Sequence, residues 1–444
     1  MANSHPLKNM VDYLFLKYPI NDLYNHDTVN KENYFQDNYI PDIIEGILDL
    51  DSVGVKPETI DVESAGEIQI NTEVSNENRV NVTLPDLPDI NEYVNYLEEV
   101  WDSKWLTNDG QFVQLLEKKL KEFMGLKKFL LVSNGTLALQ IALKVLNIKG
   151  SVITTPFTFA ATTNSLLWER LNPVFADIDP ETFNIDPEDV EQKITPDTTA
   201  IMAVHTYGNP CDVERIEEIA KDNDLMVIYD GAHAFNVQYK NRSIFSYGDI
   251  STLSFHATKA FHTIEGGALV TKDAEVEEKI KLIRNHGIDT SLEEVILPGT
   301  NAKMNEFQAI MGLCNLKNIE RSIQTRKFIY ECYVENLQDL DVKFQKIQAS
   351  QYNYAYMPVC FEDEKTRNRV ELALSQRGYY PRKYFYPLTV DFEYFKNRSK
   401  DLNRRFDLKA ATDVSSSVLC LPLYPTLSLT DVSKIVSIIR EVMT

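Results

Sequence analysis

The sequence predicts an α/β fold, with a mostly parallel sheet and flanking helices plus a smaller C-terminal α+β domain. From about Leu84 onward, short apolar runs alternate with amphipathic helical patterns, which is typical of a parallel sheet with crossover helices. From about Ser322 the order changes to a helix, extended pieces and two further helices, so we expect a second layer there. The chain has 444 residues and is 43% hydrophobic, enough to bury a large core.

The N-terminal part differs in composition from the rest of the chain. Residues 1–80 carry 15 acidic and 5 basic side chains, and the stretch from Val53 to Val80 has no sustained hydrophobic period. This composition predicts a flexible or weakly packed segment. We therefore expect an acidic N-terminal extension of unknown role (1–81), a large domain (82–321) and a small C-terminal domain (322–444).

The large domain begins with helical and strand patterns in alternation. Gln111 to Met124 places its apolar side chains on one helical face and stops at Gly125. A second helix follows the tripeptide Asn134-Gly135-Thr136, directly after the first strand. The predicted buried strands are Phe129–Ser133, Val152–Thr155, Val174–Ile178, Ala200–Val204, Leu225–Tyr229, Ile250–Phe255 and Ala268–Thr271.

The charge balance argues against two classes of partner. With 45 basic and 66 acidic residues, the net charge of -21 has the wrong sign for nonspecific attraction to nucleic acid or an anionic membrane. No apolar run approaches the roughly 20 residues that a membrane-spanning helix needs. Met1 to Leu16 lacks the pattern of a signal peptide, so we expect a cytoplasmic protein.

The residues that follow the strands are the candidates for a ligand site, because ligands of parallel sheets bind beyond the carboxyl ends of the strands. Ser133-Asn134-Gly135-Thr136 joins a strand to a helix, and the free N–H groups of a helix start attract an anion such as phosphate. The alternative is a plain strand-to-helix turn. Phe159, in the stretch TTPFTFAAT, either covers a flat ligand or packs in the core.

Two titratable residues follow the strand Leu225–Tyr229. Asp230 is costly to bury as a carboxylate unless it meets a cationic ring nitrogen, a metal or a helix N-terminus, and a simple helix N-cap is the alternative. His233 is either a catalytic group or a structural histidine.

The most informative residue is Lys259, in the run SFHATKAFHTIEGG between two predicted strands. Partial burial lowers the pKa of a lysine and makes it a usable amine nucleophile, whereas a loop lysine that reaches solvent is the alternative. His256, His262 and Glu265 raise a metal site as an alternative, but they lack the i, i+4 spacing of the usual zinc helix, so no metal is expected.

Together, a phosphate turn, a carboxylate for a ring nitrogen, a stacking ring and a lysine nucleophile are what pyridoxal 5′-phosphate requires. Residues 82–444 resemble the DegT/DnrJ/EryC1/StrS family of pyridoxal-phosphate-dependent sugar aminotransferases, of fold type I. The motifs that carry the resemblance include VTLPDLP, VSNGTLAL, TTPFTFAAT, VIYDGAHAF, SFHATKAFHTIEGG and PGTNAKMNEFQA. The run around Lys259 is most similar to members that aminate a 4-keto sugar, in particular those that form dTDP-4-amino-4,6-dideoxyglucose.

The resemblance implies a role for each matching residue. Lys259 matches the Schiff-base lysine, and its presence argues against the dehydratase branch, in which histidine replaces it. Asp230 matches the acid that pairs with the pyridine nitrogen, and His233 matches the residue near the ring hydroxyl. Phe159 is expected to stack on the ring. The implied phosphate ligands are Gly135, Thr136 and Ser254.

The resemblance also implies a homodimer with shared active sites, because Asn301 matches an asparagine that reaches the phosphate of the partner's cofactor. Two positions depart from the family. Gly231 stands where alanine is usual and is expected only to loosen packing. His262 stands where many relatives carry asparagine, which leaves the sugar specificity open.

The expected function is transfer of an amino group from L-glutamate to a nucleotide-linked 4-keto-6-deoxy sugar, such as dTDP-4-keto-6-deoxy-D-glucose, for surface glycans including the O-antigen of lipopolysaccharide. Lys383, Tyr384 and Tyr386, in RKYFYPL, are candidate contacts of the nucleotide sugar, with an aromatic core as the alternative. A 3-keto sugar or cyclitol aminotransferase is a second candidate. A non-catalytic regulatory protein that binds pyridoxal phosphate is a third, and the intact reactive residues argue against it.

Overall fold

The computed structural model describes residues 79–395 and 407–444, so most of the predicted N-terminal extension lies outside the described residues. The helices of the described part are α1 (Ile90–Ser103), α2 (Gln111–Phe123), α3 (Gly135–Val145), α4 (Ala160–Trp168), α5 (Pro187–Gln192), α6 (Val213–Asp222), α7 (Ala274–Ile283), α8 (Glu306–Leu316), α9 (Ile319–Leu337), α10 (Glu364–Ser375), α11 (Lys409–Ser417) and α12 (Leu429–Met443). Its strands are β1 (Val80–Asn81), β2 (Phe129–Val132), β3 (Ser151–Thr154), β4 (Asn172–Phe175), β5 (Thr198–Val204), β6 (Met226–Asp230), β7 (Gln238–Tyr239), β8 (Arg242–Ser243), β9 (Ile250–Ser254), β10 (Gly267–Thr271), β11 (Ile288–Asp289), β12 (Glu294–Val295), β13 (Lys343–Phe344), β14 (Met357–Cys360), β15 (Tyr379–Tyr380) and β16 (Val418–Leu421).

The central sheet contains seven strands in the order β2-β10-β9-β6-β5-β3-β4. β10 is antiparallel to both of its neighbours, and the remaining neighbours run parallel. All of the predicted apolar runs form strands of this sheet, with ends shifted by at most three residues. The predicted fold class, a mostly parallel sheet with flanking helices, is confirmed.

Helices cover both faces of the sheet because its strands are apolar on both sides. Successive residues of a strand point to opposite faces, and in β6 Ile228 joins the core under α3 and α7 while Tyr229 joins the core under α2, α6 and α8. Asn134 starts α3 by accepting a hydrogen bond from the backbone N–H of Leu137 at 2.8 Å. The strand ends and the α3 start are thereby fixed along one edge of the sheet.

A smaller layer follows along the chain. β13, β14 and β16 form an antiparallel sheet, and α9, α10 and α12 bury side chains against it, including Tyr333, Val370 and Ile435. β1 pairs in parallel with β15. The boundary expected at residue 322 falls in the first turn of α9. The domain limits themselves stay predictions. None of the described helices combines the length and the apolar content that crossing a bilayer requires.

Candidate active site

The candidate site lies where β6 and β9 end side by side in the sheet. Asp230 is the last residue of β6 and pairs with Thr252, two residues before the end of β9. The loop that joins β9 to β10 carries Lys259. The sheet order therefore brings together groups that are 29 residues apart in sequence.

The amine of Lys259 is partly withdrawn from water. Its Nζ donates a hydrogen bond to the Tyr356 hydroxyl at 3.4 Å, and the residue as a whole is half-buried. Burial lowers the pKa of Lys259 to about 8, although the charge of Asp230 opposes this shift. About a tenth of the amine is therefore neutral at pH 7, far more than for an ordinary lysine, and is available as a nucleophile or base.

Asp230 is a buried carboxyl, only 4% exposed. Burial raises its pKa, while hydrogen bonds from Thr162 Oγ1 at 2.7 Å and from the Ala232 N–H at 3.0 Å, together with the charge of Lys259, act in the opposite direction. The two donors hold the carboxylate in one orientation. No helix begins at this position of the described chain, so the alternative of a helix N-cap does not apply.

His233 is buried beside the same lysine. Its Nδ1 accepts a hydrogen bond from the Tyr207 N–H at 3.2 Å, and its ring stacks on Phe385 with 5.8 Å between centroids. The Tyr356 ring packs against His233 in an edge-on arrangement with 4.8 Å between ring centroids. Burial is the main reason that the pKa of His233 lies well below its usual range, and the charge of Lys259 lowers it further. The imidazole is therefore neutral, with the proton on Nε2.

The start of α3 forms a close cradle with the end of β9. A Cβ atom at Gly135 would lie 2.8 Å from Ser254 Cβ, and one at Gly267 would lie 2.8 Å from the Gly135 nitrogen. Thr136, the next residue of the helix, is exposed. The backbone N–H groups at a helix start suit an anion, and the two glycines let the backbone of this helix start come close to β9 and β10.

Three further predicted residues lie, like Thr136, at the surface. Phe159 is 56% exposed and directly precedes α4, so it is not a core residue. Asn301 is exposed and pairs with Asn285 in an isolated antiparallel bridge. Tyr386 is 44% exposed and donates a hydrogen bond to Glu364 at 3.0 Å.

The other two candidate sugar contacts differ in their surroundings. Lys383 forms an ion pair with Glu371 of α10 at 2.7 Å, so its charge is engaged away from Lys259. The Tyr384 ring lies 5.5 Å from that of Tyr356, which connects it to the lysine. Of the three candidate sugar contacts, Tyr384 is the one that packs against Tyr356, the hydrogen-bond partner of Lys259. Contact with a sugar stays a prediction for all three.

Gly231 and His262, the two positions that depart from the family, are tightly surrounded by other residues. A Cβ atom at Gly231 would come within 2.5 Å of the Phe245 ring, so the expectation that Gly231 only loosens packing is wrong. His262 is buried and its Nε2 donates to the Asp86 carbonyl oxygen at 2.9 Å. Within the described residues, no group of three or more His, Cys, Asp and Glu side chains is arranged around a metal position.

Four contacts of the site were not expected from the sequence: Thr162, Tyr207, Tyr356 and Phe385. Thr162 lies in the first turn of α4, in the same TTPFTFAAT motif as Phe159, so its position was available as a signal. The others come from separate parts of the chain without a local pattern that marks them.

The arrangement suits one cofactor. A low-pKa lysine in electrostatic contact with a buried carboxylate fits a cofactor that has a reactive carbonyl and a basic ring nitrogen. The cradle at Gly135 fits its phosphate, and the exposed ring of Phe159 is available to cover its face. Fold and site thus define the class of the protein, a pyridoxal-phosphate enzyme of fold type I.

Comparison with known proteins agrees with this class. The DegT/DnrJ/EryC1/StrS aminotransferase family matches residues 88–440. A dTDP-4-amino-4,6-dideoxy-D-glucose transaminase of Shigella dysenteriae is 43% identical over 366 residues, covering 81% of this chain and 98% of that protein. An Escherichia coli protein of the same name is 40% identical over 372 residues, covering 82% and 99%.

Among solved structures, DesI in the presence of its TDP-sugar product is similar with a TM-score of 0.77 and 32% identity, covering 82% of this chain and 93% of that one. The chain belongs to the DegT/DnrJ/EryC1/StrS aminotransferase family. It is a transaminase, its cofactor is pyridoxal 5′-phosphate, and the resemblance found in the sequence is confirmed.

Proposed function

We propose that the chain transfers the amino group of L-glutamate to dTDP-4-keto-6-deoxy-D-glucose, giving dTDP-4-amino-4,6-dideoxy-D-glucose. We further propose that it does so in the cytoplasm, for surface glycans such as the O-antigen of lipopolysaccharide. The proposed reaction rests mainly on Lys259, whose pKa of about 8 and electrostatic interaction with Asp230 suit an amine that alternates between nucleophile and base. The names of the two relatives support the choice of sugar.

Each side chain has a defined task in this proposal. When bound, the cofactor supplies an electron sink for the negative charge that develops on the substrate carbon. Lys259 Nζ would hold the cofactor, and as a free amine it would accept the proton from the donor α-carbon. Asp230 keeps a proton on the ring nitrogen. His233, a neutral imidazole, would interact with the ring hydroxyl, and Gly135, Thr136 and Ser254 would bind the phosphate.

A homodimer with shared sites is part of the proposal. Ile90, Trp101 and Trp105, on α1 and just beyond it, are 65%, 53% and 55% exposed, and such apolar surface supports burial against a second copy. Asn301 is exposed and has its amide available for the partner's phosphate. The mass of the holoenzyme in solution tests the dimer.

The decisive test of the function is an absorbance spectrum before and after addition of L-glutamate. The bound cofactor should change to its amine form and release 2-oxoglutarate. Competing 4-keto, 3-keto and cyclitol substrates are then offered, and the aminated product is identified by NMR. A protein that binds the cofactor but never reacts with any amino donor is the regulatory alternative. Preferred amination of a 3-keto sugar or a cyclitol would overturn the choice of acceptor.

A further inference from the structure

The hydroxyl of Tyr356 contacts the reacting amine from the side of the smaller layer. Tyr356 directly precedes β14 and is 7% exposed. Its hydroxyl accepts the hydrogen bond from Lys259 Nζ at 3.4 Å, and in the part of the chain that the structure describes this is the one hydrogen bond of that amine. The contact joins residues 97 positions apart in sequence, so it exists only because the smaller layer packs beside the loop that carries Lys259.

Neighbouring aromatic rings hold the phenol of Tyr356 in place. The centroid of its ring lies 4.8 Å from that of His233 and 5.3 Å from that of Tyr207. The Tyr384 ring packs against it in a T-shaped arrangement at 5.5 Å. Aromatic pairs prefer such tilted and edge-to-face arrangements, so these contacts fix where the hydroxyl oxygen lies.

The phenol of Tyr356 keeps its own proton. Burial raises the pKa of Tyr356 well above its usual value, although the charges of Arg326 and Arg382 lower it. A neutral hydroxyl oxygen accepts a hydrogen bond equally from an amine and from an ammonium group. Tyr356 can therefore stay bonded to Lys259 Nζ before and after the amine takes up a proton.

A catalytic lysine needs such an anchor once its amine is free. The four-carbon stem of a lysine is flexible, whereas a general base must lie within hydrogen-bond reach of the proton that it takes up. A contact of 3.4 Å has the length that is common for catalytic groups before substrate binds. A hydroxyl beside Nζ thus limits the positions that the free amine can adopt.

We propose that Tyr356 is a further catalytic residue, whose hydroxyl holds the free amine of Lys259 in the position from which it exchanges the substrate proton. In the donor half-reaction the C–H bond at the donor α-carbon breaks, the proton binds Lys259 Nζ, and the electron pair passes to the electron sink that the cofactor supplies. Tyr356 itself gains and loses no proton. The inference rests on the proposed function and deepens it, because it concerns the base of the same reaction.

Tyr356→Phe removes the hydroxyl oxygen and keeps the ring and its packing. The holoenzymes of wild type and variant are mixed with increasing concentrations of L-glutamate in a stopped-flow spectrophotometer. We expect the rate at saturating glutamate to fall about tenfold, the equivalent of one hydrogen bond to a charged group, and the apparent affinity for glutamate to stay unchanged. Glutamate deuterated at its α-carbon should slow the variant at least as much as wild type, because Tyr356 assists the transfer of this proton.

A second readout needs no turnover. The amine forms of wild type and Tyr356→Phe are prepared with pyridoxamine 5′-phosphate, which leaves Lys259 free, and are treated with a trace of acetic anhydride. Loss of a hydrogen-bond acceptor disfavours the protonated amine, which does not react with the anhydride. We therefore expect acetylation of Lys259 at pH 7, measured by mass spectrometry, to increase about two- to threefold in the variant.

Tyr379→Phe is the matched control. Tyr379 is 6% exposed, nearly the same as Tyr356, and its hydroxyl donates a hydrogen bond to Asp431 at 3.0 Å. The substitution also removes one hydrogen bond of a buried tyrosine, but in the core of the smaller layer and not beside Lys259. It should lower stability and leave both the glutamate rate and the acetylation of Lys259 as in wild type.

The outcomes separate this inference from the proposed function. If wild type does not react with glutamate, the proposed function fails. If wild type reacts and Tyr356→Phe has the same saturating rate, only the role of Tyr356 is overturned. A loss confined to glutamate affinity, or a loss of bound cofactor, would assign the hydroxyl to a ligand instead of the amine and also overturns it. Unchanged acetylation of Lys259 would contradict the hydrogen bond on which the role depends.

Discussion

At the scale of single residues, the charge of Asp230 depends on its neighbours. Burial favours the neutral acid, and the hydrogen bond from Thr162 Oγ1 at 2.7 Å favours the carboxylate. A neutral acid cannot hold a proton on a ring nitrogen. The threonine is therefore a positioning residue for the proposed reaction, although it touches no substrate.

Replacing Thr162 by valine removes this hydrogen bond and keeps the side-chain shape. We expect the rate of the glutamate half-reaction to fall by about tenfold, the equivalent of one hydrogen bond to a charged group, while the cofactor stays bound. Thr163→Val is the matched control, because Thr163 is equally buried but bonds to Thr389 at 3.0 Å. Equal rates in the two variants, followed in a stopped-flow spectrophotometer, would contradict the role of Thr162.

The pKa of Lys259 predicts a pH dependence. Below its pKa of about 8 the free amine is protonated and cannot accept a proton, so the acceptor half-reaction should rise with pH up to about 8 and level above it. Single-turnover rates from pH 6.5 to 9.5 measure this. In Lys259→Ala rescued by added amines, the midpoint should follow the pKa of the amine. A rate of the acceptor half-reaction that does not change between pH 7 and 9 in wild type would rule out Lys259 as the base.

The effect of a substitution at Gly231 depends on the residues packed around it. In Gly231→Ala the new Cβ meets the Phe245 ring at 2.5 Å and the Thr252 carbonyl oxygen at 3.0 Å, so we expect a loss of about 1–3 kcal/mol of stability from overpacking. Phe245→Leu in the same chain should recover part of the loss. Thermal unfolding of the holoenzymes checks this, and strictly additive effects would speak against the contact.

At the scale of elements, the start of α3 is the part that a cofactor phosphate depends on. Gly135→Ala places a Cβ atom 2.8 Å from Ser254 Cβ and closes the cradle. The dissociation constant for pyridoxal 5′-phosphate should rise at least about tenfold, the loss of a charge-assisted hydrogen bond. Gly125→Ala, beyond the end of α2, adds only backbone strain at a φ of +64° and should cost stability alone. Equal cofactor affinity in the two variants, measured by fluorescence titration, would contradict the prediction that the start of α3 binds the phosphate.

The strands could be predicted because each is a short apolar run. Their exact ends could not be predicted, because hydrogen-bonded pairing with the neighbouring strands determines where each strand begins and ends. β4 begins at Asn172, before its apolar part, since its residues pair with β3 from Ser151 onward. The site follows the same rule. Asp230 and Lys259 could be found because one lies at the end of a strand and the other in the segment that joins two strands. Tyr356 and Phe385 lie about 100 residues or more further along the chain and reach the site only through tertiary packing.

At the scale of the whole molecule, the proposed shared site draws residues from two copies of the chain. Asn301 is exposed and lies in a segment whose next residue, Ala302, accepts a hydrogen bond from the Ser133 N–H at 2.9 Å, at the approach to the phosphate turn. A shared site predicts that defects in Lys259 and Asn301 complement each other only if they are carried by different subunits.

Mixing Lys259→Ala and Asn301→Ala homodimers tests this. After subunit exchange, half of the dimers are hybrids, and each hybrid has one intact site, built from Lys259 of one copy and Asn301 of the other. We expect about a quarter of the wild-type activity to return, since half of the molecules regain one of two sites. A chain that carries both substitutions, mixed with wild type, is the control: with shared sites its hybrids contain no intact site, so exchange should lower the activity of the mixture from about half to about a quarter of wild type. No recovery in the first mixture, together with unchanged activity in the control, would show that each copy completes its own site.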